Sequence, residues 1–511
     1  MGFLDKFKGS SNEKEIDKTS FKHLDSLIQS GRKEIILESD IILGRNEKSK
    51  YKNGIKIEAN NIVIDGNGYM IDACGKTRIF DCIGKNIIIK NIILKNGLSE
   101  NGGAISNEGE LTIKDSILTE NTAKKEGGAI FNKGMLTISK SKLDKNTSKK
   151  YGGVISNEGE LTITESTLTE NTAEDEGGAI SNTHKLTISE STLIKNKVNV
   201  FYGGAIVNVN GELTISESEL SENTSQKGGG AIANMGEVTI TKSTINKNTT
   251  QKYGGGIFNK GLFTITESTL TENTAQEESG GAIFNAEGAL TLSESSFCKN
   301  TSQNDGGAIF NAAGELTITE SSLSENTAMY GGVIFNFNGK LTMVKSSLNK
   351  NRAMDEGGAI FNATGELTMT ESTLTENIAI YGGAIYNIDG ELTIKDSTLQ
   401  DNTAKNGGAI CNLGKLTIIK SILTENTAKE EGGAISNENI KNKVKLERAT
   451  AKLHGVQLNL VGELIMTESS LLKNTAQKDG GAIYVDKESE YESNNCTFKD
   501  NKPDDIYREK N

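Results

Sequence analysis

Gly102-Gly-Ala-Ile-Ser-Asn-Glu-Gly-Glu-Leu-Thr-Ile-Lys-Asp-Ser-Ile-Leu-Thr-Glu-Asn-Thr-Ala123 is one turn of a repeat that fills most of the chain. Its Gly-Gly-Ala-Ile phrase returns, in close variants, with the isoleucine at Ile105, Ile130, Ile155, Ile180, Ile206, Ile232, Ile257, Ile283, Ile309, Ile334, Ile360, Ile385, Ile410, Ile435 and Ile483. The step is 25 or 26 residues except for the last, which is 48. A fixed period of this size marks a solenoid, in which each unit stacks only on its neighbours. Within the stretch, Gly103/Ile105/Asn107, Leu111/Ile113 and Ser116/Leu118, running on to Asn121, alternate with period two, the mark of strands with one buried face. Glycine and short polar segments such as Asn107-Glu-Gly109 and Ala123-Lys-Lys-Glu126 separate them, and no run is long enough for a helix. The expected fold is all-β: a right-handed parallel β-helix of about 18 coils with three strands per coil, the hand following from the crossover rule.

The columns say which side is inside. The Ile105 column never varies, and the Leu111, Ile113 and Leu118 columns vary almost entirely among aliphatics with an occasional Phe, so they face the core. Asparagine fills two further columns, Asn107 to Asn437 and Asn121 to Asn501. Stacked amides can donate to one neighbouring coil and accept from the other, and asparagine tolerates the left-handed conformation that coil corners require. These asparagines are therefore read as structural.

Residues 1–18 read as a loose polar N-terminus and 19–30 as a capping helix, with Ser20 as N-cap and Phe21, Leu24, Leu27 and Ile28 on one face. Irregular coils follow over 31–101, the regular array over 102–437, terminal coils over 462–501 and a charged tail over 502–511. Between them, residues 438–461 break the rhythm with a basic stretch, Lys441-Asn-Lys-Val-Lys-Leu-Glu-Arg448, that reads as an insertion or a degenerate coil.

The 511 residues carry a net charge of −12 with 24% charged side chains, which argues against a nucleic-acid-binding surface. Only 35% are hydrophobic, which a solenoid tolerates because its core is one narrow column. Its single proline, Pro503, follows the last repeat, as strand ladders demand. Cys74, Cys82, Cys298, Cys411 and Cys496 show no metal-ligand spacing and no disulfide framework, although Cys74 and Cys82 lie close enough in sequence to pair across a turn. No signal peptide is visible at the N-terminus, and the most apolar stretch, Asn86 to Leu94, is far too short to span a bilayer.

Gly-Gly-Ala-Ile paired with Phe/Leu-x-x-Asn resembles the repeat of the chlamydial polymorphic outer-membrane proteins, and equally the adhesin-like β-helix proteins of methanogens. The resemblance covers about residues 20–501, although the Phe of the second motif survives only at Phe297–Asn300 and Phe498–Asn501. It implies a β-helix of pectin-lyase type and a role in surface adhesion or display, hence a cell-surface or extracellular place. The missing signal peptide and anchor keep the cytoplasm as the alternative.

The expected function is a non-enzymatic scaffold binding glycan or protein along its length, because near-identical coils suit avidity and leave nothing local to be catalytic. No catalytic, cofactor or metal residue is expected. A polysaccharide lyase or glycosidase is one alternative, but those chemistries need clustered acid–base groups, whereas Glu165, Glu190 and Glu217 are spread by the repeat and His23, His184 and His454 lie far apart. An ice-binding threonine ladder, drawn from pairs such as Thr162/Thr164 and Thr239/Thr241, is the other. The residue after the invariant isoleucine has outward parity, and six consecutive aromatics stand there: Phe258, Phe284, Phe310, Phe335, Phe361 and Tyr386. They are expected to form an exposed stripe, the candidate partner-binding surface.

Overall fold

The computed structural model describes residues 18–439 and 461–510. Over these the chain winds as an all-parallel β-solenoid of about 18 turns. Each of its three long sheets contains 18 strands. One coil supplies Ile105–Asn107 to the first sheet, Glu110–Lys114 to the second and Ile117–Thr119 to the third. Every strand pairs in register one coil on, Ile105 with Ile130, Leu111 with Leu136 and Leu118 with Leu143. These side chains are buried, and one continuous core runs from Phe21 to Val485. At about 4.8 Å per coil the stack is a rod on the order of 85 Å long.

A fourth, narrow ladder joins these three. Thr122–Glu126 pairs with Thr147–Ser148, and the series continues as far as Arg352–Glu356. Most of its strands are two residues long, too short to show an alternation, which is why the repeat reads as three strands rather than four. Ala123 and Ala173 in this ladder are fully buried, so it closes the fourth side of the core.

Both asparagine columns face inward and are buried. Asn121 Nδ2 donates forward to Asn146 Oδ1 at 3.0 Å and back to the Leu94 carbonyl at 3.1 Å, while the Asn121 backbone N–H also donates to Asn146 Oδ1 at 3.1 Å. The pattern repeats coil by coil to Asn474 and Asn501. In the other column Asn107 Nδ2 donates to Asn132 Oδ1 at 2.7 Å. Asn107 Oδ1 itself has no partner, because Cys82 stands one coil earlier. Serine forms a third internal ladder, in which each backbone N–H donates to the next Oγ, as from Ser116 to Ser141 at 3.2 Å.

The corners correct one expectation. In the array the left-handed residues are not the ladder asparagines but the charged residues just before the serine and asparagine: Asp115, Glu120, Lys140 and Lys145 have φ between 49° and 55°. A left-handed residue here turns the chain sharply enough for the next side chain to enter the core, while its own side chain points into solvent. Asparagine does take this conformation in the early coils, at Asn61, Asn86, Asn91 and Asn96. The charged corners pair from coil to coil, Lys140 with Glu165 at 3.6 Å and Lys195 with Glu222 at 3.7 Å. Exposed pairs of this kind contribute roughly 0–1 kcal/mol each. The paired glycines make the other corner. Gly127 sits at φ +64°, and a Cβ on Gly128 would collide with the Gly153 carbonyl oxygen.

The helix Phe21–Gln29 covers the N-terminal end of the core with Phe21, Leu24 and Ile28. Ser20 caps it, accepting from the His23 N–H at 3.2 Å. At the other end the last coil packs Tyr491 and Phe498 partly against the core. Residues 440–460, which hold most of the break in the repeat, lie outside the described residues. The coils on either side of them pair directly, Leu416 with Leu464 and Ile435 with Ile483. All five cysteines are free thiols, Cys74 exposed and Cys82 buried.

Candidate functional site

Identical coils convert each outward position into a row along the rod. The second sheet carries the most uniform row: Thr112, Thr137, Thr162 and Thr187 stand in register, and threonine continues without a break to Thr417. The neighbouring row on the same face is mixed, with Lys114, Val344, Lys395 and Ile419 among serines and threonines. The third sheet presents further hydroxyls, as in Thr167, Thr192, Thr244 and Thr269. Among the described residues no group of three His, Cys, Asp or Glu side chains is placed to hold a metal ion, and no helix is long and apolar enough to cross a membrane.

The aromatic row departs from the expected exposed stripe. Phe258, Phe335, Phe361 and Tyr386 are buried, with at most 7% of their surface exposed, and only Phe284 and Phe310 are half-buried. The parity is as read, since the rings lie outside the central core in clusters of their own. What covers them are the turns at either end of these three-residue strands. On one side Tyr202 packs on Phe258 at 5.1 Å, Tyr253 on Phe284 at 4.7 Å and Tyr330 edge-on to Phe361 at 6.1 Å. On the other side stand Val209 and Met235, then Phe337, Ala363, Ile388 and Leu413. Phe284 and Phe310 remain partly open; two residues on from them stand Ala286 and Ala312, where the neighbouring coil carries Phe337.

The rings also cover one another. Phe284 and Phe310 stack at 4.9 Å with planes 7° apart, and Phe335 and Phe361 at 4.5 Å with planes 8° apart. Stacking along the rod consumes the ring faces and leaves only edges at the opening. The row therefore stabilises the array by roughly 0.5–1.5 kcal/mol per ring pair beyond area burial, and its accessible part is two rings rather than six.

Beside this row sits a group that the repeat hides. Glu356 occupies the column between Tyr330 and Tyr381. It is 8% exposed and its Oε2 has no hydrogen-bond partner. Burial first, then the nearby Asp355 charge, pushes its carboxyl from the ordinary 4.5 up to about 8. Nothing in sequence sets it apart from the other acids of the repeat, because its position becomes apolar only when Tyr330, Tyr381 and Tyr386 close around it. The folded carboxyl stays protonated at neutral pH while the unfolded one ionises near 4.5, so folding takes up a proton between these values. The stability tied to this group is intact below about pH 4.5 and is lost as pH rises through about 8. Glu356→Gln, neutral and of the same shape, is expected to melt like the parent near pH 4.5 and above it at pH 9, by on the order of 2–4 kcal/mol. Parallel melts at the two pH values check this; an equal shift at both would show that the carboxyl is not buried neutral.

Four stretches of the chain, residues 115–133, 294–312, 396–413 and 468–486, match the Chlamydia polymorphic membrane protein repeat. Each runs from a left-handed charged corner through the ladder asparagine to the Gly-Gly turn and the strand beyond it. No curated protein matches the chain. Among solved structures, a PL6 family alginate lyase aligns over 96% of this chain and 97% of its own, at 10% identity and a TM-score of 0.23, a likeness too slight to carry an argument. The chain is thus a parallel β-solenoid that carries the polymorphic membrane protein repeat at four sites.

Proposed function

We propose that this protein is a non-enzymatic, adhesin-like scaffold of the cell surface that binds glycan or protein partners along its length. The observation that carries this reading is the unbroken register of the outer rows, above all Thr112 to Thr417. A partner meets the same hydroxyl-rich face at every coil, so weak contacts add through effective concentration. The carboxyl perturbed most, that of Glu356, is buried beside tyrosines rather than set in an open cleft where a sugar could reach it. The repeat shared with the polymorphic membrane proteins supports placement at the surface.

The test incubates the purified chain with acidic and neutral polysaccharides in the presence of calcium, and measures both retention and new chain ends. Retention without cleavage is expected; release of unsaturated or reducing ends would make the protein an enzyme. Aromatic contact, where it occurs, is confined to the opening at Phe284 and Phe310. Changing Phe284, Phe310 and Phe335 together to Ser, the residue that other coils carry there, is expected to preserve the strand signature in circular dichroism. Retention should fall by about two- to fivefold, the scale of losing edge contacts from a few rings. Undiminished retention would leave the row a purely structural stack.

A further inference from the structure

The early coils hold a cationic pocket that the repeat does not explain. Between Gly44 and Gly54 the chain bulges out of the coil in a series of turns, closed by Glu47 N–H to the Gly44 carbonyl at 3.0 Å and Gly54 N–H to the Tyr51 carbonyl at 2.9 Å. The bulge and the following coil enclose a shallow pocket of about 520 Å³ lined by Arg45, Asn46, Lys48, Ser49, Lys52 and Lys76.

The bulge contains both signs of charge, and its geometry separates them. Glu47 turns inward, where its Oε1 accepts from the Lys22 N–H at 2.8 Å and its Oε2 from the Gly44 N–H at 2.7 Å. Asp25 is engaged by Lys50 Nζ at 3.0 Å and by the Tyr51 hydroxyl at 2.9 Å. Tyr51 is itself buried against Phe21, with ring centroids 5.9 Å apart, and its carbonyl accepts from Thr77 Oγ1. The acids and Lys50 are thus used to anchor the bulge. Arg45, Lys48, Lys52 and Lys76 are exposed and, among the described residues, none of them is in an ion pair. Four unmatched cations around one concavity, on a chain of net charge −12, make a local field that attracts anions.

We propose that this pocket binds a short segment of an acidic glycan, carrying sulfate or carboxylate groups together with free hydroxyls. Arginine and lysine supply charge-assisted hydrogen bonds to the anionic groups. Asn46 and Ser49 add neutral donors and acceptors suited to hydroxyls, which a bare phosphate does not need. The lining contains no apolar side chain to enter a bilayer and no aromatic ring on which a base could stack. The site is distinct from the coil faces and stands or falls separately from the reading of those faces as contact surfaces.

The test uses the full chain and a fluorescent, size-defined sulfated tetrasaccharide, with binding followed by anisotropy at two salt concentrations. Replacing Arg45, Lys48, Lys52 and Lys76 together with Gln is expected to weaken binding by about tenfold or more and to flatten its salt dependence. A charge-matched control, Gln at Lys149, Lys150, Lys185 and Lys252, should bind like the parent. No binding by the parent, or equal loss in both variants, would overturn the site. Equal affinity of the pocket for phosphatidylglycerol vesicles or for pyrophosphate would overturn the assignment to a glycan. Unchanged melting of the pocket variant is expected, because none of the four side chains packs in the core.

Discussion

Ile257→Asp should break the rod in the middle. Ile257 is fully buried, in register with Ile232 before it and Ile283 after it. The substitution removes an aliphatic side chain worth roughly 1.5–3 kcal/mol and places a carboxyl among aliphatics, where it must ionise at high cost or take up a proton. The combined effect is roughly 5 kcal/mol or more at neutral pH, smaller at pH 4 where the acid is neutral. Because each coil is held only by its neighbours, the damage is local: proteases should cut near this coil while the flanking arrays stay folded. Denaturant melts and limited proteolysis with mass mapping check both parts. Parent-like stability would reverse the assignment of inside and outside.

Asn273→Leu should come close to this in cost, although leucine keeps the branching and the number of side-chain heavy atoms. Asn273 Oδ1 accepts from both the backbone N–H and the Nδ2 of Asn248, at 3.1 and 3.0 Å. Its own Nδ2 donates to the Ile245 carbonyl at 2.9 Å and to Asn300 Oδ1 at 3.0 Å. Leucine fills the space and strands two buried donors on Asn248 and a buried acceptor on Ile245. Each unsatisfied group costs about 1–3 kcal/mol, so a loss on the order of 4 kcal/mol is expected. Asn273→Asp, neutral at acid pH, keeps the acceptor and has one O–H in place of the two N–H donors that reach Ile245 and Asn300, and should fall between parent and Leu there. Melts of the three proteins give the order; a leucine variant as stable as the parent would mean that the amides only fill space.

The repeat made the core legible because it prints each buried column many times, so that Ile105 and its equivalents separate from outward positions without any structure. The same averaging hid what does not repeat. The Thr122-Ala123 ladder is too short to alternate. The charged corners at Glu120 and Lys145 run against ordinary propensity, and only the backbone angles reveal that asparagine is needed inside rather than at the turn. For the aromatic row, parity gave the side of the strand correctly but is silent on the turns that fold over it, so Phe361 and Tyr386 read as exposed and are buried. The cationic pocket was invisible because Lys76 joins Arg45, Lys48 and Lys52 only through the winding of the coil.

If function is distributed along the coils, a series of single-coil deletions should show it. Removing residues 230–254, 307–331 or 383–407 excises one period between equivalent glycines and keeps each Gly-Gly corner. Retention on a partner-coated surface should fall by a similar, modest factor for each deletion and further when two are combined, as avidity requires. Complete loss on removing one particular coil, with the other deletions silent, would place the function at a single site instead.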